Sequence, residues 1–246
     1  MIGSTNSIWN VNSKYEQLVN YTMLYDYGDE CSDVTGGWTA KSFNTTYPSV
    51  GTLTKNADNL YYSVTGSNGS GIATVNLLDI SNYKYFATLQ KFKANSATWQ
   101  AAYLTVGRND KTYIEHIKIG TSTQVTTPTL YKANIENVTE NGCLATIINY
   151  TGNITLYCAM LFKGDDWQTL SEKAGITATS IDDVLTNAET LLANEEAVEF
   201  MIYNCTGEFM ISAVASETFL TALNNSQYKT IIWANEHWAK FLNMIS

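Results

Sequence analysis

This chain of 246 residues contains two histidines, His116 and His237, as candidates for acid–base catalysis. A nucleophile activated by a base needs both side chains within hydrogen-bond reach. No GxSxG, P-loop or GxGxxG motif occurs to position such groups. His116 lies in an alternating segment that predicts a strand, and His237 lies in a predicted helix. We therefore expect structural roles for both and predict that the protein is not an enzyme.

Two pairs of adjacent carboxylates, Asp165-Asp166 and Asp182-Asp183, are the next candidates for chemistry. Glycoside hydrolysis needs two carboxyl groups that face each other across the scissile bond, about 5–10 Å apart. Sequence neighbours do not meet that requirement. Both pairs precede segments of helical periodicity, so we interpret them as helix caps.

The acidic loop DYGDECSD is a candidate metal site, because it carries Asp26, Asp29, Glu30 and Asp33. Hard oxygen ligands at this density could hold Ca²⁺. Asp26 and Asp29 are the candidate ligands, and a solvated acidic turn is the alternative interpretation. We expect no required cofactor, with a structural calcium ion as the one metal considered.

Aromatic side chains are plentiful, with 16 Tyr, 6 Trp and 8 Phe. A Trp or Tyr ring can stack on a sugar while its polar edge forms hydrogen bonds. Adjacent Tyr61 and Tyr62 must point to opposite faces of a strand. The alternative for each ring is packing in the core or in a subunit interface. The candidate glycan-binding residues are Trp38, Tyr61, Tyr62, Tyr83, Tyr85, Trp99 and Tyr103.

The charge pattern excludes several partners. The formal net charge is −9, and charged residues make up 15% of the chain, without a Lys/Arg run. An acidic chain of this kind argues against nucleic acid or an anionic membrane surface as the partner. No apolar stretch reaches about 18 residues, so we expect no transmembrane helix and no membrane insertion. The four cysteines form no CxxC pair, and buried free thiols are expected.

The segment from Thr22 to Lys163 has the pattern of an antiparallel β-sandwich, with short alternating strands separated by turn signals. Two hairpin tips are predicted, at 66–71 and at Thr151-Gly152. The second hairpin would place Cys143 and Cys158 on a diagonal, somewhat too far apart for an easy disulfide. The two prolines, Pro48 and Pro128, are expected in loops.

Helical periodicity begins at GDDWQTL. Asp166 is expected to cap a first helix that ends at Gly175. Thr179 or Ser180 is expected to cap the next, IDDVLTNAETLLANEEAVEFMI. The boundary between the β and α regions is therefore placed near Lys163.

The C-terminal segment repeats a short helical unit. LLANEEAVEFM, AVASETFLTAL and IWANEHWAKFL each pair a small polar cap with a following Glu, which suits the positive end of a helix. The caps are Asn194, Ser216 and Asn235, with Thr206 and Ser226 for two intermediate units. Helices this short need partners to bury their apolar faces. The candidate assembly residues are Trp9, Phe200, Met201, Phe219, Leu220, Trp238 and Phe241.

The predicted fold class is α+β, an antiparallel β-sandwich or jelly roll followed by a C-terminal α-helical repeat region. Residues 1–21 form an N-terminal arm, 22–163 the sandwich and 164–246 the helical assembly domain. From Ile181 onward the chain carries nine acidic and two basic residues, which makes this region a poor place for chemistry. Whether its apolar positions stack within one chain or between chains is left open.

Three β segments resemble a galactose-binding-like jelly-roll module: LYDYGDEC with TGGW, TVNLLDISNYKYFATLQ, and NITLYCAMLFK. The resemblance covers about 140 residues. It implies an architecture common in carbohydrate-binding modules and virion adhesins. It also implies a structural calcium near the first and last strands.

The capped repeats and the closing NNSQYKTIIWANEHWAKFL resemble C-terminal regions of tail-fibre-type proteins from phages and prophages of Gram-positive gut bacteria. This resemblance implies a non-enzymatic virion structural protein of tail-fibre, baseplate or receptor-binding type, made in the host bacterial cytoplasm. The expected partners are other virion proteins, further copies of the chain in a homo-oligomer, with a trimer favoured, and a host cell-surface glycan. The alternatives are a capsid decoration or head-fibre protein, and a carbohydrate-binding accessory module.

Overall fold

The computed structural model describes residues 21–46, 48–94, 101–121, 125–205, 207–235 and Trp238. The chain divides into two compact units, one covering 22–162 and the other including 163–244. The first unit is built from antiparallel strands, and the second is helical. The predicted class, an antiparallel β-sandwich of jelly-roll type followed by C-terminal helices, is confirmed.

The β unit contains nine strands and one short helix, α1 (Ser32–Thr35), in its described part. Two of the strands are much longer than the others and connect the two layers of the sandwich. The strands are β1 (Tyr21–Asp26), β2 (Trp38–Ser42), β3 (Thr52–Lys55), β4 (Leu60–Thr74), β5 (Tyr85–Ala94), β6 (Ala101–Gly107), β7 (Tyr113–Thr121), β8 (Val125–Asn134) and β9 (Cys143–Phe162).

The long strands β4 and β9 each contribute to both layers. Layer 1 has the strand order β2-β4-β9-β6-β7 and uses residues 70–74 of β4 and 143–148 of β9. Layer 2 has the order β3-β4-β9-β5-β8 and uses 60–64 of β4 and 152–162 of β9. The remaining strand, β1, pairs with β9. Apolar side chains from both layers form one core cluster between them.

The two predicted hairpins are wrong, because each is one strand that passes from one layer to the other. In β4 the passage is marked by register shifts and by Gly66 and Gly69, with φ of 71° and 70°. In β9 it is marked by Tyr150, with φ of 75°. Glycine adopts this left-handed backbone readily, so the same residues that favour a hairpin also permit a corner within a strand.

Two further expectations in the β region are settled by this topology. Cys143 and Cys158 lie near opposite ends of β9 rather than across a hairpin. They and Cys205 are buried free thiols, whereas Cys31 is half-buried. Pro128 lies inside β8 rather than in a loop. It is tolerated because β8 is the edge strand of layer 2, where a missing N–H breaks no central ladder.

The helical unit contains seven helices in its described part, all short. The segment that follows the Ser180 cap is divided into three helices, with breaks at Asn187 and at Ala193-Asn194, and the second break is at the predicted cap Asn194. None of the described helices is long and apolar enough to cross a membrane. The helices are α2 (Trp167–Ala174), α3 (Ile181–Thr186), α4 (Ala188–Leu192), α5 (Glu195–Asn204), α6 (Glu208–Ala215), α7 (Glu217–Asn225) and α8 (Lys229–Ala234).

Most of the predicted helix caps are present. Asp166 accepts a hydrogen bond from Thr169 N at 2.9 Å, and Ser180 forms a capping box with Asp183. Gly175 ends α2 with a φ of 68°. These bonds satisfy amides that the first turn of a helix leaves without partners.

The repeat caps behave in the same way. Asn194 accepts from Ala197 N at 3.2 Å, and Ser216 accepts from Phe219 N at 3.2 Å. Asn235 accepts from Trp238 N at 3.3 Å. The side chain of Ser226 instead accepts from Tyr228 N, in the turn that precedes α8, and Thr206 lies outside the described residues.

Candidate functional site

The outer faces of the two sandwich layers differ in accessibility. In layer 1, residues 143–148 of β9 are all buried, on both faces of the strand. In layer 2, the exposure of β4 alternates, with Leu60 and Tyr62 buried and Tyr61 exposed. An alternating pattern is that of a sheet with one face open to solvent. The outer face of layer 2 is therefore open to a large ligand beside this part of β4, whereas Ala87, Leu89 and Met160 of the same layer are buried.

The outer face of layer 1 is covered by its own aromatic side chains. His116 lies between Tyr103 and Tyr113, with ring centroids 3.9 and 4.2 Å away and nearly parallel planes. Phe43 continues the stack against Tyr113 at 5.9 Å and lies directly over Gly107, where a Cβ would be 2.0 Å from its ring. The rings therefore contact one another, which leaves His116 no free face for a ligand.

His116 is held in a neutral form by this environment. Thr105 Oγ1 lies 3.0 Å from His116 Nδ1. Burial lowers the pKa of His116 to about 4. An imidazole with such a pKa, flanked by rings, is a packing group rather than a general base at neutral pH.

Two rows of polar side chains cross the outer face of layer 2. Pairing of β3, β4, β9 and β5 places residues of the same row side by side, because partners in an antiparallel pair share a face. We call the eight residues the groove face. The first row is Thr54, Tyr61, Thr155 and Lys91, and the second row is Thr52, Ser63, Asn153 and Lys93.

A groove of about 480 Å³ runs along the second row. Its walls include Ser63, Lys93 and Asn153. Gly152 is required beside them, since a Cβ there would lie 2.0 Å from the carbonyl oxygen of Lys93. The close approach of β5 and β9 at this glycine holds the lysine and the amide in one rigid sheet.

The groove face is chemically suited to a polyhydroxylated ligand. The ring of Tyr61 is 36% exposed and stands one row from the groove. The other side chains of the groove face carry hydroxyl groups, the amide of Asn153 and the ammonium groups of Lys91 and Lys93. None of the eight side chains is a carboxylate. Rings that stack and polar groups that donate and accept are what a sugar needs. The face lacks two carboxyls opposed across a bond, as glycoside hydrolysis would require.

Three of the predicted glycan-binding residues are buried in the fold. Trp38 is 3% exposed, and its indole N–H donates to Leu24 O at 2.9 Å. Tyr62 is fully buried and Tyr85 is 7% exposed. These side chains do not reach a surface ligand, which corrects the prediction for them. Burial of a large aromatic ring in the core stabilises the fold, which favours the buried position over an exposed one.

The other candidates divide differently. Tyr61 is on the groove face, as the alternation of adjacent residues implied. Tyr83 is half-buried, with its hydroxyl 2.6 Å from Thr22 Oγ1. Tyr103 belongs to the ring stack of layer 1, and Trp99 lies outside the described residues.

Seven residues of the groove face were not predicted from the sequence: Thr52, Thr54, Ser63, Lys91, Lys93, Asn153 and Thr155. Alternation along β4 places Ser63 on the same face as Tyr61, so that signal was available. The partners from β3, β5 and β9 follow only from the cross-strand register.

The proposed calcium ligands lie in a tight turn. Asp26 and Asp29 exchange two backbone hydrogen bonds, of 2.9 and 3.1 Å. Asp29 Oδ1 accepts from Cys31 N at 2.9 Å, and Glu30 pairs with Lys55 at 2.7 Å. Among the described residues no three or more His, Cys, Asp or Glu side chains converge as a metal site would require. Calcium at Asp26 and Asp29 stays a prediction.

Several assembly candidates belong to the core of the helical unit. Met201, Phe219 and Trp238 are fully buried, and the rings of Phe219 and Trp238 lie parallel at 6.3 Å. These three side chains therefore pack within one chain, which is one of the two alternatives that the sequence left open. Phe200 and Leu220 are half-buried. Trp9 and Phe241 lie outside the described residues.

Asp165 has an unexpected role. Its Oδ1 accepts from Gly207 N at 2.9 Å and its Oδ2 accepts from Phe209 N at 2.6 Å, so it caps α6 from a distant part of the sequence. Burial raises its pKa to about 6, although both hydrogen bonds favour the charged form. Of the Asp165-Asp166 pair, each residue caps a different helix.

Comparisons with known proteins were made for the sequence and for the structure. No protein-family model matches the sequence, and no curated protein matches it. Among solved structures, the chain is similar to a Cellvibrio japonicus xylanase 10C variant in complex with xylopentaose, at 14% identity and a TM-score of 0.38. That match covers 54% of this chain and 28% of the xylanase chain.

Two smaller neighbours are matched over nearly their whole length. The xylan-binding module CBM15 matches at 13% identity and a TM-score of 0.39, over 59% of this chain and 97% of that chain. The family 11 carbohydrate-binding module from Clostridium thermocellum, in complex with a β-1,3-1,4-mixed-linked tetrasaccharide, matches at 14% identity and a TM-score of 0.37. This match covers 59% of the present chain and 97% of the family 11 module.

Proposed function

We propose that the β unit is a non-catalytic glycan-binding module and that the groove face is its binding surface. The observation that carries the proposal is the position of the exposed Tyr61 ring beside an open groove walled by hydroxyl, amide and ammonium groups. In this arrangement the ring stacks on the apolar face of a sugar. Ser63 and Asn153 then exchange hydrogen bonds with its hydroxyls.

Binding through this surface is weak for a single copy. The groove is open, so a bound glycan keeps much of its surface in water, and each hydrogen bond replaces one made to water. Several copies held together would raise the effective strength by avidity without new contacts. A multivalent arrangement therefore suits a module of this design.

A finer part of the proposal concerns the assembly that carries the module. The C-terminal sequence resembles phage tail-fibre proteins, and this supports a virion structural protein in a homo-oligomer, with a trimer favoured. The contacts to other virion proteins would then belong to the helical unit or to the N-terminal arm. A carbohydrate-binding accessory module is the alternative that the groove face supports equally well. A capsid decoration or head-fibre protein is the other alternative.

The experiment for glycan binding is affinity electrophoresis of the purified chain against a panel of soluble polysaccharides. Tyr61→Ala is expected to weaken retardation by the bound glycan at least tenfold, whereas Tyr61→Phe keeps the ring and most of the binding. Leu77→Ala is the matched control, because Leu77 is also 36% exposed and lies outside the groove face. Equal binding by Tyr61→Ala and the wild type would contradict the assignment of the surface.

The assembly part has its own test, which is the position and copy number of the protein in an intact particle. A few copies at the tail tip would support the tail-fibre role. Hundreds of copies spread over the head would overturn it in favour of decoration. Absence from purified particles would overturn both virion roles and leave the accessory module.

A further inference from the structure

We propose that the groove face selects glycans that carry carboxylate groups, such as those built from uronic acids, and that Lys93 and Lys91 recognise the carboxylate. This inference rests on the proposed function, since it names the class of sugar for the same surface. Its starting point is a local charge that opposes the charge of the whole chain. The protein has 14 basic and 23 acidic residues, but the groove face has two lysines and no carboxylate.

The two lysines lie on the same side of β5. They are two residues apart in a strand, so both project from the outer face of layer 2 at a separation of roughly 7 Å. Lys93 lines the groove and is exposed. Lys91 is half-buried, and its Nζ lies 5.2 Å from the ring centroid of Tyr157. This cation–π contact holds the Lys91 ammonium on the face toward Tyr157, one row away from the groove that Lys93 lines.

Neither lysine is neutralised by a described residue of the chain. The ion pairs of Lys55 with Glu30 and of Arg108 with Glu140 both lie outside the groove face. The positive charge at the groove is therefore available to a ligand. A ligand carboxylate would supply the missing partner through a charge-assisted hydrogen bond, which is stronger than a neutral one.

The second row of the groove face places neutral hydrogen-bonding groups next to this charge. Lys93 pairs with Asn153, Asn153 with Ser63, and Ser63 with Thr52. Adjacent strands lie about 4.8 Å apart, so the row extends over roughly 14 Å. That length matches a short stretch of oligosaccharide. A carboxylate bound at Lys93 leaves the neighbouring sugar hydroxyls over the amide and the two hydroxyl side chains.

The test compares polygalacturonate with its fully methyl-esterified form, which keeps the same backbone and removes the charge. The wild-type chain is expected to bind the acidic polymer about five- to tenfold more tightly at low salt. This preference should shrink in 0.5 M NaCl, because salt screens exposed charges. Lys93→Gln should remove most of the preference for the acidic polymer, whereas Lys93→Arg, which keeps the positive charge, should retain it.

Controls separate this inference from the proposed function. Lys55→Gln removes a lysine that is paired with Glu30 outside the groove face, and it should leave the preference unchanged. Tyr61→Ala should weaken binding to both polymers alike. Equal binding of the two polymers by the wild type, or a preference that survives in Lys91→Gln/Lys93→Gln, would overturn the inference. Tyr61-dependent binding of neutral glycans alone would leave the proposed function intact, while no binding to any glycan would contradict both.

Discussion

The pH dependence of the sandwich provides a quantitative test through His116. Burial between Tyr103 and Tyr113 lowers its pKa to about 4, against about 6.5 for an unfolded histidine. The folded state therefore holds the neutral ring, and the unfolded state takes up the proton first. The stability that His116 contributes is present above pH 6.5 and is lost as the pH falls toward 4.

The magnitude follows from these two values. Linkage between a folded pKa of about 4 and an unfolded pKa of about 6.5 gives a loss of about 2 kcal/mol between pH 7 and pH 5. Most of this loss arises below pH 6.5. It is a large share of the stability of a typical domain.

The assay is urea unfolding at pH 7 and pH 5, followed by hydrogen exchange in peptides from β6 and β7. His116→Phe is the matched variant, because it keeps a flat ring in the stack and cannot titrate. Loss of the contact to Thr105 destabilises this variant by the same amount at both pH values. The wild type should lose about 2 kcal/mol more than the variant on acidification.

Two results would refute this reasoning. One is the same pH dependence in the wild type and in His116→Phe. The other is a measured pKa of His116 at or above 6.5 in the folded protein. The second result would mean that cation–π attraction to the two tyrosine rings outweighs the desolvation of the charged imidazole.

Two other substitutions test the fold on which the groove face depends. Tyr62→Phe removes a hydroxyl that donates to Ser70 Oγ and accepts from Gly51 N, both at 2.7 Å, so urea unfolding should show a loss of about 1–3 kcal/mol, with no loss in Tyr61→Phe. An unchanged midpoint would show that water replaces the hydroxyl. Asp165→Ala leaves the amides of Gly207 and Phe209, at the start of α6, without acceptors. Hydrogen exchange there should accelerate at least tenfold while β-unit peptides stay unchanged. Unchanged protection in α6 would contradict the capping role.

Features that depend on neighbouring residues in the sequence, such as helix caps and the faces of a strand, were predicted correctly. A small polar residue followed by an acidic first turn predicted the caps at Asn194 and Ser216, because a cap bonds an amide only a few residues away. Alternation predicted that Tyr61 and Tyr62 face opposite sides, because successive strand residues do so by geometry. The division of the chain by compact contacts falls at 162/163, next to the expected change of period.

Features that depend on contacts between distant parts of the sequence were not predicted correctly. Glycines at 66–71 predict a hairpin tip, yet they also allow β4 to bend from one layer into the other. The choice depends on β9, which lies about 80 residues away in the sequence and bends at the same level. The groove face follows the same rule. Its four strands come together through pairings that no single segment encodes.

The site prediction failed mainly on burial. Trp38 and Tyr62 have the ring types that bind sugars, but the same rings are the best fillers of a sandwich core. Residue type alone does not distinguish the two uses. The neutral polar residues beside Tyr61 gave no signal of their own, since Ser, Thr and Asn are common throughout the chain.

The most direct test of the central claim is a hydrogen-exchange footprint of the intact chain with a bound oligosaccharide. If the groove face is the binding surface, protection should increase in peptides covering 52–65, 91–94 and 151–155 and stay unchanged elsewhere. A footprint on β6 and β7, around Tyr103 and His116, would place the ligand on layer 1. A footprint confined to the helical unit would contradict the assignment of glycan binding to the sandwich.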